Sequence, residues 1–535
     1  MPDPDDATST DHASTRVARA LDRVGPPEIV LTSLVIVWSV VFIRLPLLRH
    51  DRFGTFGFDL GIYDQGVWLL SRFEDPFVTV RGLDLFGHHA NLFLVLLVPA
   101  YWLGGGPAFL LVVQVLAQAS GAIAIFLLAR DLLRSRWVGV ALAAALLLNP
   151  TYQWLTWEFF HPDAVSIGPL LFAYWAARVR RWRLFWAAAV LALLCKEDVA
   201  LSMAVLGLLV AFRGRRIRGL VIAGVSALWF VLSTRVLIPA QNGIGPFYDT
   251  FFGDLGRSPT EVVFNSVRRP ATTWDLATAS DRKSWYWKML APWAMLPLFD
   301  LRALLIAAPM IFVNVVTAFP YTRDFRYHYS SLVVAVCAIA TVEAIAWISA
   351  RARDGFEAAR NILVAAVLCC ALVTTHYWGA SPLARDYRSG IWPLAPDPRV
   401  AAKQAAIARV PGDASLSATY NLVPHVTHRE HVYEFPVPWC NINWGVDGEH
   451  LHDPADVDWM IVDRTLVDAP GANPRDRALL DDLLSSEFDV VSDRDGMIVA
   501  ERVRAPEFAT DENPPVGQCY PRASLAPFQP AQELT

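Results

Sequence analysis

The chain is short of charge. Only 18% of its 535 residues are Asp, Glu, Lys or Arg, against 54% hydrophobic, which excludes an ordinary soluble domain of this length. It has no basic tail and no zinc-finger or RNA-binding motif, so nucleic acid is not an expected partner. No internal repeat marks the two halves of an inverted-repeat transporter. Cysteine is scarce, with six in all. Cys195, Cys337, Cys369 and Cys370 lie in or beside apolar runs and read as packing residues. Cys440 and Cys519 are the only two in the polar C-terminal segment, and they are a disulfide candidate if that segment lies outside the cytoplasm. A small-residue cleavage site is missing after Ile29–Leu48. That run, preceded by Arg16, Arg19 and Arg23, therefore reads as a retained first span rather than a signal peptide.

What is abundant points to a bilayer. The 20 Trp and 29 Phe suit aromatic belts at two interfaces. About eleven runs are apolar enough to lie in lipid: Ile29–Leu48, Pro107–Ala129, Trp137–Leu148, Ala164–Ala177, Leu184–Leu194, Ala200–Phe212, Leu220–Ile238, Trp287–Phe299, Ala303–Phe319, Ser330–Ser349 and Ile362–Tyr377. Several fall short of the ~20 residues a perpendicular helix needs. Asn91–Leu103, broken by Pro99 and followed by three glycines, reads as an interfacial or re-entrant piece.

With that assignment, the charges sort by side. Arg130, Arg134 and Arg136 fall on one face, as do Arg178, Arg180, Arg181 and Arg183, then Arg213, Arg215, Arg216 and Arg218, then Arg351, Arg353 and Arg360. Four successive loops obeying the positive-inside rule make that face cytoplasmic, together with the N-terminus. The expected organisation is a cytoplasmic tail over 1–27, a membrane domain over 28–378 with outer loops 49–90 and 239–286, a small extracytoplasmic α/β domain over 379–505, and a Pro-rich tail over 506–535. In the α/β domain, Ala401–Val410 reads as a helix, Ser415–Ala418 and Trp459–Val462 as strands, and Phe488–Val491 with Met497–Ala500 as a hairpin.

The opposite face gathers the groups that could do chemistry. Asp59 and Asp64 stand five apart in the first outer loop, about 140° apart on a helix, so they are not a paired-carboxylate site. One of them can face a cavity while the other caps a helix. His88 and His89 end the same loop. Glu158 and His161 have i, i+3 spacing, which is also a metal-ligand spacing in bundles; Pro162 stops a helix at that point. Lys196, Glu197 and Asp198 interrupt an apolar stretch and must reach water or each other. Arg323, Arg326 and His328 form a cationic patch in a loop that the positive-inside rule would leave poor in Arg. An anionic partner such as a lipid phosphate explains it, because guanidinium binds phosphate oxygens in pairs.

The segments FDLGIYDQ at Phe58–Gln65, FHPD at Phe160–Asp163, CKED at Cys195–Asp198, RVLIP at Arg235–Pro239, RYHYS at Arg326–Ser330 and NLVPHVTHR at Asn421–Arg429 together resemble the DUF2079 family of membrane proteins. Their order and spacing carry the resemblance, from about Arg49 to Arg429. The family usually has an acid before the histidine where this chain has Gly87-His88-His89. The family in turn resembles the GT-C glycosyltransferases, which use a polyprenyl-phosphate sugar at the outer leaflet. The resemblance implies a GT-C-like, α-helical polytopic protein of a bacterial plasma membrane, with about eleven transmembrane helices plus interfacial ones. It implies an inverting glycosyltransferase with a polyprenyl-phosphate sugar donor, a glycan or lipid acceptor in the cell envelope, and Asp59 as the general base. Asp64 is the second catalytic candidate. Lys196, Arg323, Arg326 and His328 are candidates for the donor phosphate, and His88, Glu158, His161 and Glu197 for the acceptor side or a divalent metal, which the sequence does not require. A transporter or flippase of a lipid-linked anion, and a non-enzymatic scaffold for envelope assembly, are the competing expectations.

Overall fold

The computed structural model describes residues 25–243, 251–253, 255–352, 354–441, 450, 452–505, 514–515 and 517–522. The expectations for Arg16, Arg19, Arg23 and Arg353 lie outside those residues, as does most of the 506–535 tail.

The chain is mostly helical. The long elements are α1 (Pro26–Asp51), α2 (Ile62–Arg72), α3 (Pro107–Leu133), α4 (Arg136–Leu148), α5 (Pro150–Trp157), α6 (Pro162–Arg178), α7 (Trp182–Cys195), α8 (Val199–Phe212), α9 (Arg216–Leu232), α10 (Pro259–Arg268), α11 (Pro270–Thr278), α12 (Ser280–Leu290), α13 (Ala308–Val316), α14 (Ser331–Ser349) and α15 (Phe356–Trp378). Among the described residues, five helical segments are long and apolar enough to cross a membrane: α1, α3, Arg216–Asn242, His328–Ser349 and α15. Counting α4 with α5 as one bent span makes six. The described residues thus hold five or six full-length apolar helices where about eleven spans were expected. The other apolar runs become short helices of 14 residues (α7, α8) or broken ones. The run Trp287–Phe299 ends its helix at Leu290 and continues in 3-10 turns at Ala291–Trp293 and Leu296–Phe299, each with a Pro near its start. Leu92–Tyr101 is a short apolar helix, too short to span.

Small residues decide which helices touch. Nearly all of α14 is buried, and its sequence is rich in Ala, which lets neighbours approach. The α8 and α9 pair is closer still. A Cβ on Gly207 would lie 2.5 Å from the Ala223 nitrogen, and one on Gly219 2.2 Å from the Ala211 nitrogen.

The arginine loops do share one end of the bundle. Trp175 near the end of α6 donates to Asp131 of α3, Arg360 of α15 donates to the Leu133 carbonyl, and Arg178 and Arg213 both reach Glu343 of α14. The polar motifs lie at the other end of the same helices. Lys196, just past α7, pairs with Asp163 at the start of α6.

The C-terminal part forms a five-stranded mixed sheet. Its strands are β3 (Leu416–Ala418), β4 (Val432–Glu434), β5 (Trp459–Asp463), β6 (Phe488–Arg494) and β7 (Met497–Arg502), in the order β4-β3-β5-β7-β6. β3 is parallel to both β4 and β5, and β6 and β7 form the expected hairpin. The expected helix runs over Val400–Ile407 (α16), and β4 and a helix at Pro474–Ser486 (α17) were not anticipated. A two-stranded hairpin, β1 (Phe77–Val78) with β2 (Leu83–Asp84), sits in the first loop. Cys440 and Cys519 form a disulfide, and Cys195, Cys337, Cys369 and Cys370 are free thiols. Leu60 of the first loop and Val423 of the terminal sheet region belong to one buried cluster, so the two parts share a core.

Gly219→Val is expected to lower stability by about 1–3 kcal/mol through overpacking. Thermal unfolding of the purified protein checks it, with Gly224→Val, at an open position, as the control that should change little.

Candidate functional site

The site is built from a turn and a loop. α5 ends at Trp157 and α6 begins at Pro162, so Glu158–His161 is a turn and not the helical i, i+3 pair its spacing suggested. Gln114 of α3 holds that turn. Its Nε2 donates to the carbonyls of Leu155 and Phe159, both at 2.6 Å, and its Oε1 accepts from the His161 backbone N–H at 2.6 Å. Arg49, in the last turn of α1, donates to the Trp157 carbonyl at 2.6 Å and lies 4.0 Å over the Trp157 ring and 4.4 Å over that of Phe159.

Three side chains converge there. His328 Nδ1 donates to Glu158 Oε1 at 2.7 Å, and the His328 and His161 rings stack at 3.9 Å between centroids. Glu158, His161 and His328 each offer a ligand atom, all within 4.8 Å of one another. Glu158 Oε2 and both His161 ring nitrogens are buried without a hydrogen bond. This donor set fits a divalent cation.

Asp59 meets the group from the first loop. Its Oδ1 lies 3.3 Å from His161 Nε2, without the angle of a hydrogen bond. The Asp59 side chain is 30% exposed and that of His161 3%, so the aspartate is the member that an incoming molecule can reach. Asp59 has φ 69° and ψ −84°, the rare φ-positive γ-turn conformation, of the kind that persists only when surroundings over-determine it. The terminal sheet region supplies those surroundings. Gly57 N–H donates to the Tyr420 carbonyl at 2.9 Å. A Cβ on Gly57 would lie 2.7 Å from Glu434 Oε2 and 2.8 Å from Val423, which is why a glycine stands there. Burial raises the Glu434 carboxyl to about 7. The Phe58 N–H opposes that shift, and the Asp59 charge adds to it.

The other candidates are committed to contacts of their own. Asp64 is fully buried and ties three segments together. It accepts from Tyr101 Oη at 2.6 Å and from the Thr427 hydroxyl, and lies 3.2 Å from His428 Nε2. That makes it an anchor between loop and terminal domain. Lys196 is buried between Asp163 at 3.0 Å and Asp198 at 3.6 Å, so its charge is already matched inside the protein. Glu197 accepts from His89 Nδ1 at 2.8 Å and from the Ala90 N–H at 3.1 Å. His89, rather than its neighbour His88, therefore holds the carboxylate, although the two rings lie 4.4 Å apart.

Arg323 and Arg326 line a cavity of about 540 Å³ together with Lys288, the carboxylates Asp281, Asp324 and Asp386, and the rings of Trp154 and Trp285. Arg323 donates to Asp281 at 2.6 Å and is nearly buried, whereas Arg326 forks onto Asp324 and is 46% exposed. Neither Lys196 nor His328 lines this cavity. The two places are nonetheless continuous along the chain. His328 stands two residues after Arg326, and Glu158 one turn after Trp154, over whose ring Arg326 lies.

A family model described as a predicted membrane protein, DUF2079, matches residues 49–499. The chain belongs to this family. No curated protein matches it. Among solved structures, it is similar to ArnT from Cupriavidus metallidurans bound to undecaprenyl phosphate, with 14% identity, TM-score 0.44, and 88% of this chain and 98% of that one covered. The apo state of the same ArnT gives 13% identity and TM-score 0.48 over the same shares. The Archaeoglobus fulgidus oligosaccharyltransferase in complex with Zn and sulfate gives 13% identity and TM-score 0.32, covering 83% of this chain and 70% of that one.

Gln114, Arg49 and Glu434 are contributors that spacing did not single out for the site. Glu434 generates a pH prediction. Its folded carboxyl binds a proton more tightly than an unfolded one, so its contribution to stability is full below about pH 4.5 and is lost as pH rises through about 7. Thermal unfolding across that window should show the loss, and Glu434→Gln should flatten it.

Proposed function

We propose that this protein is a membrane glycosyltransferase that moves a sugar from a polyprenyl-phosphate donor to a cell-envelope acceptor. The reading is supported by one observation above the others: a reachable carboxylate in a strained loop stands beside a buried Glu-His-His group, and the chain leads from that group, through Trp154 and Arg326, to a cavity with arginine and lysine edges and indole walls. Glycosyl transfer needs a base at the acceptor hydroxyl and a cationic cradle for the departing phosphate. Asp59 takes the acceptor proton as the acceptor oxygen attacks the anomeric carbon. The bond from that carbon to the phosphate oxygen breaks, with inversion, and the lipid phosphate leaves as an anion. Arg326 and Lys288 hold that anion, with Arg323 fixed behind them by Asp281. Indole faces pack well against sugar rings, and Asp386 is placed to accept from their hydroxyls. Glu158, His161 and His328 would hold a divalent cation, which would supply positive charge next to Asp59. The site opens at the outer leaflet, and the arginine loops face the cytoplasm.

The test is release of polyprenyl phosphate by the purified, lipid-reconstituted protein, using a panel of polyprenyl-phosphate sugars and membrane acceptors. Asp59→Asn should lower turnover by about 10²-fold or more while leaving folding unchanged. Undiminished turnover removes Asp59 from the chemistry. Arg326→Gln with Lys288→Gln should raise the donor KM about tenfold or more and change kcat less. Metal analysis of the protein should find about one divalent ion per chain, lost in His161→Gln with His328→Gln. Retention of the ion in that double variant would place it elsewhere.

A further inference from the structure

The helices that bring the motifs together at one end bring a second set of groups together at the other. There α6 ends, α7 begins and α8 ends, around a pocket of about 90 Å³ lined by Tyr174, Arg178, Arg180, Trp182, Arg213 and Arg215, with Leu206 and Val210 behind. One carboxylate serves this group closely. Glu343 of α14 accepts from Arg178 Nε and from Tyr174 Oη, both at 2.7 Å, and lies 3.4 Å from Arg213. Asp300 acts on Arg178 only at longer range. Arg180 and Arg215 have no carboxylate partner among the described residues. The pocket therefore holds four guanidiniums against one close carboxylate.

Two helix starts add to the positive field. α7 follows Arg181 and α9 follows Arg215, and neither start has a side-chain cap. Uncapped N–H groups at a helix start favour anions. The volume leaves room for a tetrahedral anion. The neighbouring surface is apolar, with Phe212 88% and Ile217 80% exposed, so the pocket sits where hydrocarbon meets water.

We infer that this arginine pocket, at the end of the bundle remote from Asp59, binds a phosphate group, carried by an anionic lipid headgroup or free in solution. Arg180 and Arg215 supply the free guanidinium forks, and Glu343 holds Arg178 and Arg213 in place. Basic pockets between membrane helices suit acidic headgroups in this way. The inference is independent of the transfer reading, since none of these residues belongs to the Asp59 site.

The experiment uses the full chain in neutral detergent, titrated with dioctanoyl phosphatidylglycerol, dioctanoyl phosphatidylcholine and inorganic phosphate, with binding followed by thermophoresis. Phosphatidylglycerol should saturate one site and phosphatidylcholine should not. Arg180→Gln with Arg215→Gln should weaken binding about tenfold or more, the scale of losing charged hydrogen bonds. Arg183→Gln with Arg216→Gln removes the same charge from the same loops outside the pocket and should change affinity less than about twofold. Arg180, Arg183 and Arg216 are exposed and Arg215 is half-buried, and a thermal melt confirms that each variant folds. Saturation by phosphate alone, lost in the pocket pair, supports the site and assigns the free anion as its source. Equal losses in the two pairs, or no saturable binding of either anion, overturn the proposal.

Discussion

A charge inside a helical bundle has to find its counter-charge before the helices can close, and this fold is organised by that requirement. At the motif end, Lys196 meets Asp163, Glu197 meets His89, and Glu158 meets His328. At the arginine end, Glu343 meets Arg178 and Arg213. Every one of these pairs joins different elements, so each fixes a register as well as neutralising a charge. Desolvation makes a broken pair far more costly than its absence from the start. The pairs therefore specify one packing of otherwise slippery apolar helices.

That packing leaves the ends of the helices free to carry irregular backbone where it is useful. The Glu158–His161 turn exists because Pro162 starts a new helix, and Gln114 satisfies the peptide groups that the turn would orphan. Non-helical backbone at membrane depth is tolerated where protein surrounds it. Arg49 supports the same turn from beneath with its guanidinium against two aromatic rings. Glu158 and His161 thus owe their positions to residues that belong to two other spans.

Much of this was readable beforehand, for physical reasons. Apolar runs and arginine clusters are composition signals, and they located the helices and grouped the loops at one end. Acids and imidazoles in apolar surroundings are rare enough to mark a place, and Asp59, Glu158, His161 and His328 do converge. The number of full spans was not readable, because a run of 14 apolar residues looks the same whether it crosses a bilayer or packs beside one that does. Nor were pairings between distant segments. Asp64 and Lys196 look like reactive groups in a linear motif, yet their partners come from Thr427 and Asp163, far along the chain. Glu343 is one acid in a long apolar run, a signal that was present but carried no hint of which arginines it would meet.

The hydrogen bond from Gly57 to Tyr420 joins the loop that carries Asp59 to the terminal sheet region. The unusual backbone of that aspartate is thereby a joint property of two folding units, and neither sets it alone. A molecule settling on the terminal sheet would press, through this peptide group and the Asp64 anchor beside it, on the geometry of the carboxylate. The sheet and the strained loop are in this way mechanically geared to one another.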